Sequence, residues 1–318
     1  MSCIYRGAIV DTDLSRNARG GTEMMRDRLL AAVPSQLLDN FAIHFSRPRQ
    51  IYDDVKNIFY AHDLAADPEN KVLLDGGWNK FSKLVFVSHW QRDQYVSMYG
   101  IPYSKCTVIE NAIETEFEYT KRPAGPIRFV YHTTPHRGLA LLYPVFDALS
   151  KEFDNIHLDV FSSFEIYGWK ERDKPYTKLF DALKSHPKIT YHGSRSNEEV
   201  IATLKQSHIF LYPCIWVETS CIAMIEAIKC GCTVIHPALG ALPETAAGAT
   251  VMYDYTEYYN AHANMAYKVT KSILLKEVKE PGFIDSLAAD TIRELNRNSI
   301  PNFQARWVSL LTQLNANG

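Results

Sequence analysis

Residues 208 to 237 read HIFLYPCIWVETSCIAMIEAIKCGCTVIHP, and two glutamates stand in this stretch, Glu218 and Glu226, with seven residues between them. From Cys221 to Ile228 every side chain except that of Glu226 is apolar. That density of apolar residues predicts a buried helix over 220–230. An unpaired carboxylate packed against Ile222, Met224, Ile225 and Ile228 would cost on the order of several kcal/mol. Glu226 therefore has a basic partner, is neutral, or faces a polar ligand. Two ligand hydroxyls, such as a ribose 2′,3′-diol, would suit its two oxygens; a backbone or arginine partner would make it structural. Glu218 falls in the loop ahead of the helix, where Thr219 or Ser220 has the chemistry of an N-cap. The first N–H groups of such a helix, at the positive end of its dipole, suit a phosphate.

The elements that must position these groups alternate between strand and helix. In the C-terminal part, strands are predicted at 127–132, 156–161, 188–193, 208–213, 232–237 and 248–253, with helices after Gly138 and at 176–186, 196–206 and 220–230. Ser196 and Glu199 have capping-box spacing. Pro144 falls inside a helical pattern, which predicts a kink or a later helix start. The N-terminal part repeats the theme: one strand at 3–10, a glycine turn and helix at 20–33, strands at 41–46, 57–62, 83–88 and 105–111, and a helix at 89–100 that ends on Gly100. Such alternation implies right-handed crossovers and parallel, doubly wound α/β sheets. In such a sheet the loop carrying Glu218 lies at the ligand-binding edge. The stretch TKRPAGPIR (120–128) reads as a linker. It divides the chain into residues 1–122 and 123–301, and the helix predicted over about 302–318 is free to pack back on the first part.

Bulk properties narrow the classes. The chain has 318 residues, 46% of them hydrophobic, and a formal net charge of −2. That charge gives no global field for nucleic acid or an anionic membrane. No apolar run approaches the roughly 20 residues of a membrane span. The N-terminus has too short an apolar stretch for a signal peptide. Six cysteines without zinc-type spacing read as buried free thiols in a reducing compartment, with the cytoplasm as the default.

The stretch FLYPCIWVETSCIAMIEAIKCGCTVIHPALGALPE resembles the donor-binding region of retaining glycosyltransferases of the GT-B fold, family 4, in which two glutamates have this E-x7-E spacing. Four further stretches match in the family's order: NARGGTEMM (17–25), NIFYAHD (57–63), the segment through KLVFVSHWQRDQYVSMYGIP and CTVIENAIE, and VYHTTPHRGLALL (130–142). The resemblance implies two Rossmann-like domains facing a cleft, the N-terminal one reduced in size. It places Glu226 on the nucleotide ribose and Glu218 on the transferred sugar. The backbone amides of Thr219, Ser220 and Cys221, with Arg137 ahead of Gly138, would hold the diphosphate. Gly20 and Gly21 would let the backbone approach the phosphates. His62 would lie near the anomeric carbon. Asp63 either caps the following turn or serves the site. Arg195 touches base or phosphate, or is a solvated loop arginine. Loops at 162–174 and 192–196 are expected to face the base.

Three departures stand out. The stretch HTTPH lacks an arginine common in the family, Asn111-Ala112 replaces asparagine–glycine, and the acceptor domain is short. The resemblance implies a retaining, metal-independent hexosyltransferase without cofactor. It would use a nucleotide-diphosphate sugar as donor and an unidentified carbohydrate, lipid or small-molecule hydroxyl as acceptor. A nucleotide-sugar-binding protein of the same fold is the alternative. An oxidoreductase is disfavoured, since no G-x-G-x-x-G follows a strand.

Overall fold

In a computed structural model of the chain, the described residues are 2–11, 20–114, 122, 124–291 and 297–316. Residues 17–19 of the glycine-rich stretch and 120, 121 and 123 of the linker lie outside them. The chain forms two compact units. The first comprises Met1–Glu114, Glu218–Ile222 and Asn296–Gly318; the second comprises Thr115–Val217 and Ala223–Leu295.

The first unit holds β1 (Ser2–Tyr5), β2 (Ala8–Asp11), β3 (Phe41–Phe45), β4 (Lys56–Ala61), β5 (Lys83–Phe86) and β6 (Cys106–Val108), in the order β2-β1-β3-β4-β5-β6. From β3 to β6 the pairing is parallel, as expected. The single strand expected over 3–10 is instead a hairpin, with Tyr5 opposite Ala8. Arg6 and Gly7 both take positive φ, 47° and 75°, the primed geometry that reverses a strand in two residues. The sheet is therefore mixed at this edge. Its helices are α1 (Gly21–Ala32), α2 (Ser35–Leu38) and α3 (His89–Tyr99). Helix α3 starts on Ser88, whose Oγ accepts from Gln91 N, and stops on Gly100 at φ 64°.

The second unit holds β7 (Ile127–Tyr131), β8 (Ile156–Val160), β9 (Ile189–Tyr191), β10 (Ile209–Leu211), β11 (Thr233–Pro237) and β12 (Val251–Tyr253), in the order β12-β11-β10-β7-β8-β9. All five pairings are parallel. This is the doubly wound order of a dinucleotide-binding sheet, with the direction of winding reversing between β7 and β10. Its helices are α4 (Leu139–Glu152), α5 (Thr177–Ser185), α6 (Asn197–Leu204), α7 (Ile222–Lys229), α8 (Leu242–Ala246), α9 (Tyr259–Lys279) and α10 (Phe283–Thr291). The capping box at Ser196 and Glu199 is present. Helix α4 starts directly after Gly138 and runs through Pro144 rather than starting beyond it. The seven buried residues of this helix supply packing that outweighs one missing backbone bond. Helix α7 starts at Ile222, so neither Thr219 nor Ser220 is its N-cap.

Arg122 enters the second unit buried. Its guanidinium donates to Ser207 O and Gly231 O and pairs with Asp285 at 3.0 Å. Four cysteines are buried, but Cys3 and Cys106 are half-buried, because both lie on strands towards the margins of the first sheet. All six are free thiols.

The last helix, α11 (Ile300–Ala316), belongs to the first unit. It lays Phe303, Trp307, Leu310 and Leu311 into a core with Met25, Leu29, Phe45 and Tyr60. Trp307 is fully buried, its ring edge-on to Tyr60 at 5.1 Å. Replacing Trp307 by Ala is expected to remove about 3–5 kcal/mol of stability, read as a lower denaturant midpoint.

Candidate functional site

In a parallel sheet the loops after the strands gather at one edge, and ligands bind where the winding reverses. In the second unit that point lies between the loops after β7 and β10. Their backbones touch: Ile215 N donates to Arg137 O at 3.3 Å. Gly138 sits at φ 127°, and a Cβ there would stand 2.2 Å from Pro213 O. Only glycine allows both the angle and the approach. Arg137 is thereby fixed at the reversal, half-buried. Beside it, His136 stacks on Phe164 at 5.1 Å and meets Trp216 edge-on at 4.8 Å. Burial, with Arg137 and Arg172 adding their charge, pushes the His136 imidazole down to about 4, so it is neutral at pH 7. Arg172 lies over the Trp169 ring at 4.1 Å. The loop after β8, at 162–174, thus carries an aromatic, cationic face.

Glu226 is 4% exposed within α7. Its Oε1 accepts from Asn197 Nδ2 at 3.0 Å, and its Oε2 lies 3.9 Å from His132 Nδ1. His132 is hydrogen-bonded to the Ala223 backbone, and burial pushes its imidazole down to about 4. It is therefore a neutral neighbour. Arg195 lies in the loop after β9: its side chain is 48% exposed, donates to Ser194 O at 3.2 Å and lies 3.8 Å from Glu199.

In the first unit, Gly20 is the extended residue before α1, and a Cβ on Gly21 would stand 3.0 Å from Ile222 Cδ1. His62 and Asp63 follow β4. The His62 N–H donates to Ser46 Oγ at 2.8 Å, and its carbonyl accepts from Thr219 Oγ1 at 2.9 Å. Its ring nitrogen Nε2 is buried without a hydrogen-bond partner among the described residues, and desolvation pushes the imidazole down to about 3. Asp63 does not cap the next turn; Asp67 does, accepting from Glu69 N. The Asp63 carboxylate instead pairs with Arg47 Nε at 3.0 Å. Burial raises the pKa of Asp63, and Arg47 opposes that shift. Ser46 and Arg47 take φ of 56° and 32°. For non-glycine residues such angles cost on the order of 1–3 kcal/mol each. Thr219 spends its hydroxyl on His62 rather than on the helix. Glu218, Ser220 and Cys221 are all buried.

Two clusters result. The first unit gathers His62 and Asp63 with the Glu218–Ile222 segment, and the second holds Arg137 and Gly138 in the loop after β7 and Glu226 on α7. Sequence reasoning missed His132 and Asn197 beside Glu226, and Ser46 beneath His62. A histidine at the end of the strand preceding the loop of Arg137 was the available signal for His132. A D-x-D triplet, Asp11-Thr12-Asp13, begins at the last residue of β2, and Thr12 and Asp13 lie outside the described residues.

Residues 117–253 match the family described as "Glycosyl transferases group 1". The chain is 23% identical over 192 residues to one of the subunits of the phosphatidylinositol N-acetylglucosaminyltransferase of Homo sapiens, covering 59% of this chain and 38% of that protein. The Arabidopsis thaliana counterpart is 24% identical over 191 residues, covering 57% and 40%. The matched stretch thus spans about two fifths of the length of these curated relatives. Among solved structures, a glycosyltransferase from Rickettsia africae superposes with a TM-score of 0.64 at 15% identity, covering 96% of this chain and 85% of that one. Anabaena HepE, in complex with UDP-glucose, gives a TM-score of 0.60 at 14% identity, covering 81% and 72%. The fold is that of the GT-B glycosyltransferases, with Rossmann-like, parallel-sheet α/β domains.

Two measurements test this geometry. Gly138→Ala is expected to lose at least about 2 kcal/mol of stability, since a Cβ would force the two loops apart. Stability should also fall with pH. His62, His132, His136, His208 and His236 all have imidazoles depressed by burial, to about 3 for His62 and about 4 for the others. Above about pH 6.5 they are neutral in both folded and unfolded chains, so they add no pH dependence. Between about 6.5 and 4 only the unfolded chain takes up the protons, which lowers stability. Urea midpoints at pH 7 and pH 4.5 should differ in that direction.

Proposed function

We propose that the protein is a retaining glycosyltransferase that moves a hexose-type sugar from a nucleotide-diphosphate sugar to an acceptor hydroxyl, without a metal. The observation that supports this most is Glu226, a carboxylate buried in α7 and steered by Asn197 and the neutral His132. It stands in the unit where Arg137 and Gly138 mark the reversal of the sheet, and a site for a diol beside a diphosphate needs that combination. The family match over 117–253 supports the same reading, as does the likeness to a fold seen with UDP-glucose.

In this reading Glu226 accepts the ribose hydroxyls. Arg137 and the amides of Thr219, Ser220 and Cys221, which lead into α7, take up the negative charge that grows on the departing diphosphate. Their cationic and amide charge stands where a metal would otherwise be needed. The acceptor hydroxyl attacks from the face the diphosphate leaves, giving retention. Glu218 orients the sugar and supports positive charge on its ring, without acting as a covalent nucleophile. His62, neutral and with its Nε2 unpartnered among the described residues, hydrogen-bonds the reacting end. Gly20 and Gly21 admit the phosphates close to the backbone. The acceptor is a carbohydrate, a lipid or a small molecule. Among the described residues no helix is long and apolar enough to cross a membrane. The six free cysteines support placement in the reducing cytoplasm.

A thermal-shift screen with UDP, GDP, ADP and their sugars, followed by assay of nucleotide release, tests the proposal. Glu226→Ala is expected to weaken donor binding by about 10- to 100-fold, the effect of removing a charged hydrogen-bonding partner. Glu218→Ala is expected to lower turnover by about 100-fold with a smaller change in donor affinity. Wild-type rates in both variants would sink the assignment. Binding without nucleotide release would leave a nucleotide-sugar-binding protein.

A further inference from the structure

The backbone leaving β4 needs new hydrogen-bond partners, because its sheet ladder ends at Ala61. Two hydroxyls and one amide side chain supply them, and a third hydroxyl closes the circuit. Ser46 Oγ accepts from His62 N at 2.8 Å and Asp63 N at 3.3 Å. Thr219 Oγ1 donates to His62 O at 2.9 Å. Ser88 Oγ donates to Thr219 O at 2.7 Å and accepts from Gln91 N at 3.0 Å. Gln91 Nε2 returns to Asp63 O at 2.8 Å. Every member belongs to the first unit.

We infer that Ser46 and Thr219 are positioning residues that clamp the His62 peptide from both sides, and that Ser88, bonded to Thr219, holds it in register with the peptide following Glu218. The inference rests on the proposed transferase for its meaning, while its geometry stands alone. Ser46 is the member that shows design. Its φ of 56° is a conformation a serine adopts rarely, and this turn brings its hydroxyl beneath the end of β4. Ser46 N meanwhile donates to Tyr60 O at 2.8 Å, so the residue closes the β3–β4 ladder and starts the clamp at once. Arg47, at φ 32°, ties Asp63 and Asp67 with the next side chain, at 3.0 and 2.7 Å. His62 thus has both backbone groups bonded to side-chain hydroxyls. Its ring packs on Tyr60 and Phe45, at centroid distances of 4.3 and 5.9 Å, with Nε2 buried and unpartnered among the described residues. Because the circuit runs through Thr219, the bonds that aim the imidazole also fix the chain beside Glu218.

Two substitutions separate the hydroxyl from the backbone turn. Ser46→Gly accepts the positive φ freely but deletes the acceptor. Ser46→Thr keeps the hydroxyl, although its branched β-carbon opposes the turn. In the intact chain, Ser46→Gly is expected to lower kcat for UDP-sugar turnover by about 10- to 100-fold, the effect of misplacing a reacting group by roughly an ångström. Its KM for donor should move less than about threefold. Ser46→Thr should lower Tm yet restore most of the kcat lost in the glycine variant. A second readout needs no activity. NMR titration of the His62 ring, assigned with His62→Gln, should show no protonation above about pH 4 in the wild type and a midpoint nearer the free value of about 6.5 in Ser46→Gly. The His62 and Asp63 amides should exchange at least about tenfold faster in that variant. An unchanged His62 titration with unchanged amide protection in Ser46→Gly overturns the clamp, whatever the assay shows. A wild type inert to every nucleotide sugar, with the titration and exchange shifted as expected, overturns the transferase reading and leaves the clamp standing.

Discussion

A carboxylate inside an oily helix is the constraint around which the second unit is arranged. Glu226 is held where desolvation works against its charge, and the groups facing its two oxygens include an amide and a neutral imidazole. Asn197 comes from α6 and His132 from the end of β7, so the carboxylate draws on three separate crossovers of one sheet. Parallel pairing throughout this sheet opens the loops after β7, β9 and β10 at one edge, and the reversal sets those after β7 and β10 side by side. Gly138 is the steric counterpart, because the same edge requires two backbones to meet without a side chain between them.

Much of the fold could be read from the chain because its signals are local. Apolar strands alternating with amphipathic helices, the Ser196 and Glu199 pair, and Gly100 after α3 each depend on a handful of neighbouring residues. Sequence and structure part where a local signal meets a competing one. Residues 3–10 look like one strand because Arg6 gives no sign that it will adopt a left-handed angle beside Gly7. Pro144 predicts a break, yet the buried face of α4 outweighs it. Thr219 looks like a helix cap by type, but its hydroxyl has a partner more than 150 positions away in sequence, and no window could reveal that.

The site was legible to the same degree. Glu226 stood out by the mismatch between its charge and its surroundings, and Arg137-Gly138 by the turn that must follow a strand. His132, Asn197 and Ser46 carry no such mismatch: each is an ordinary polar residue at a strand end or helix start. Only the assembled sheet turns them into neighbours of a candidate site.

Arg122 bears on how the chain can be dissected. The sequence invites a cut between 122 and 123, since prolines and a glycine follow. Such a cut would discard the guanidinium that staples the ends of two loops, at Ser207 and Gly231, to Asp285 of α10. Two buried carbonyls and a half-buried carboxylate would lose their donor. A recombinant fragment of the second half retains its internal rivet only if its first codon lies upstream of this arginine.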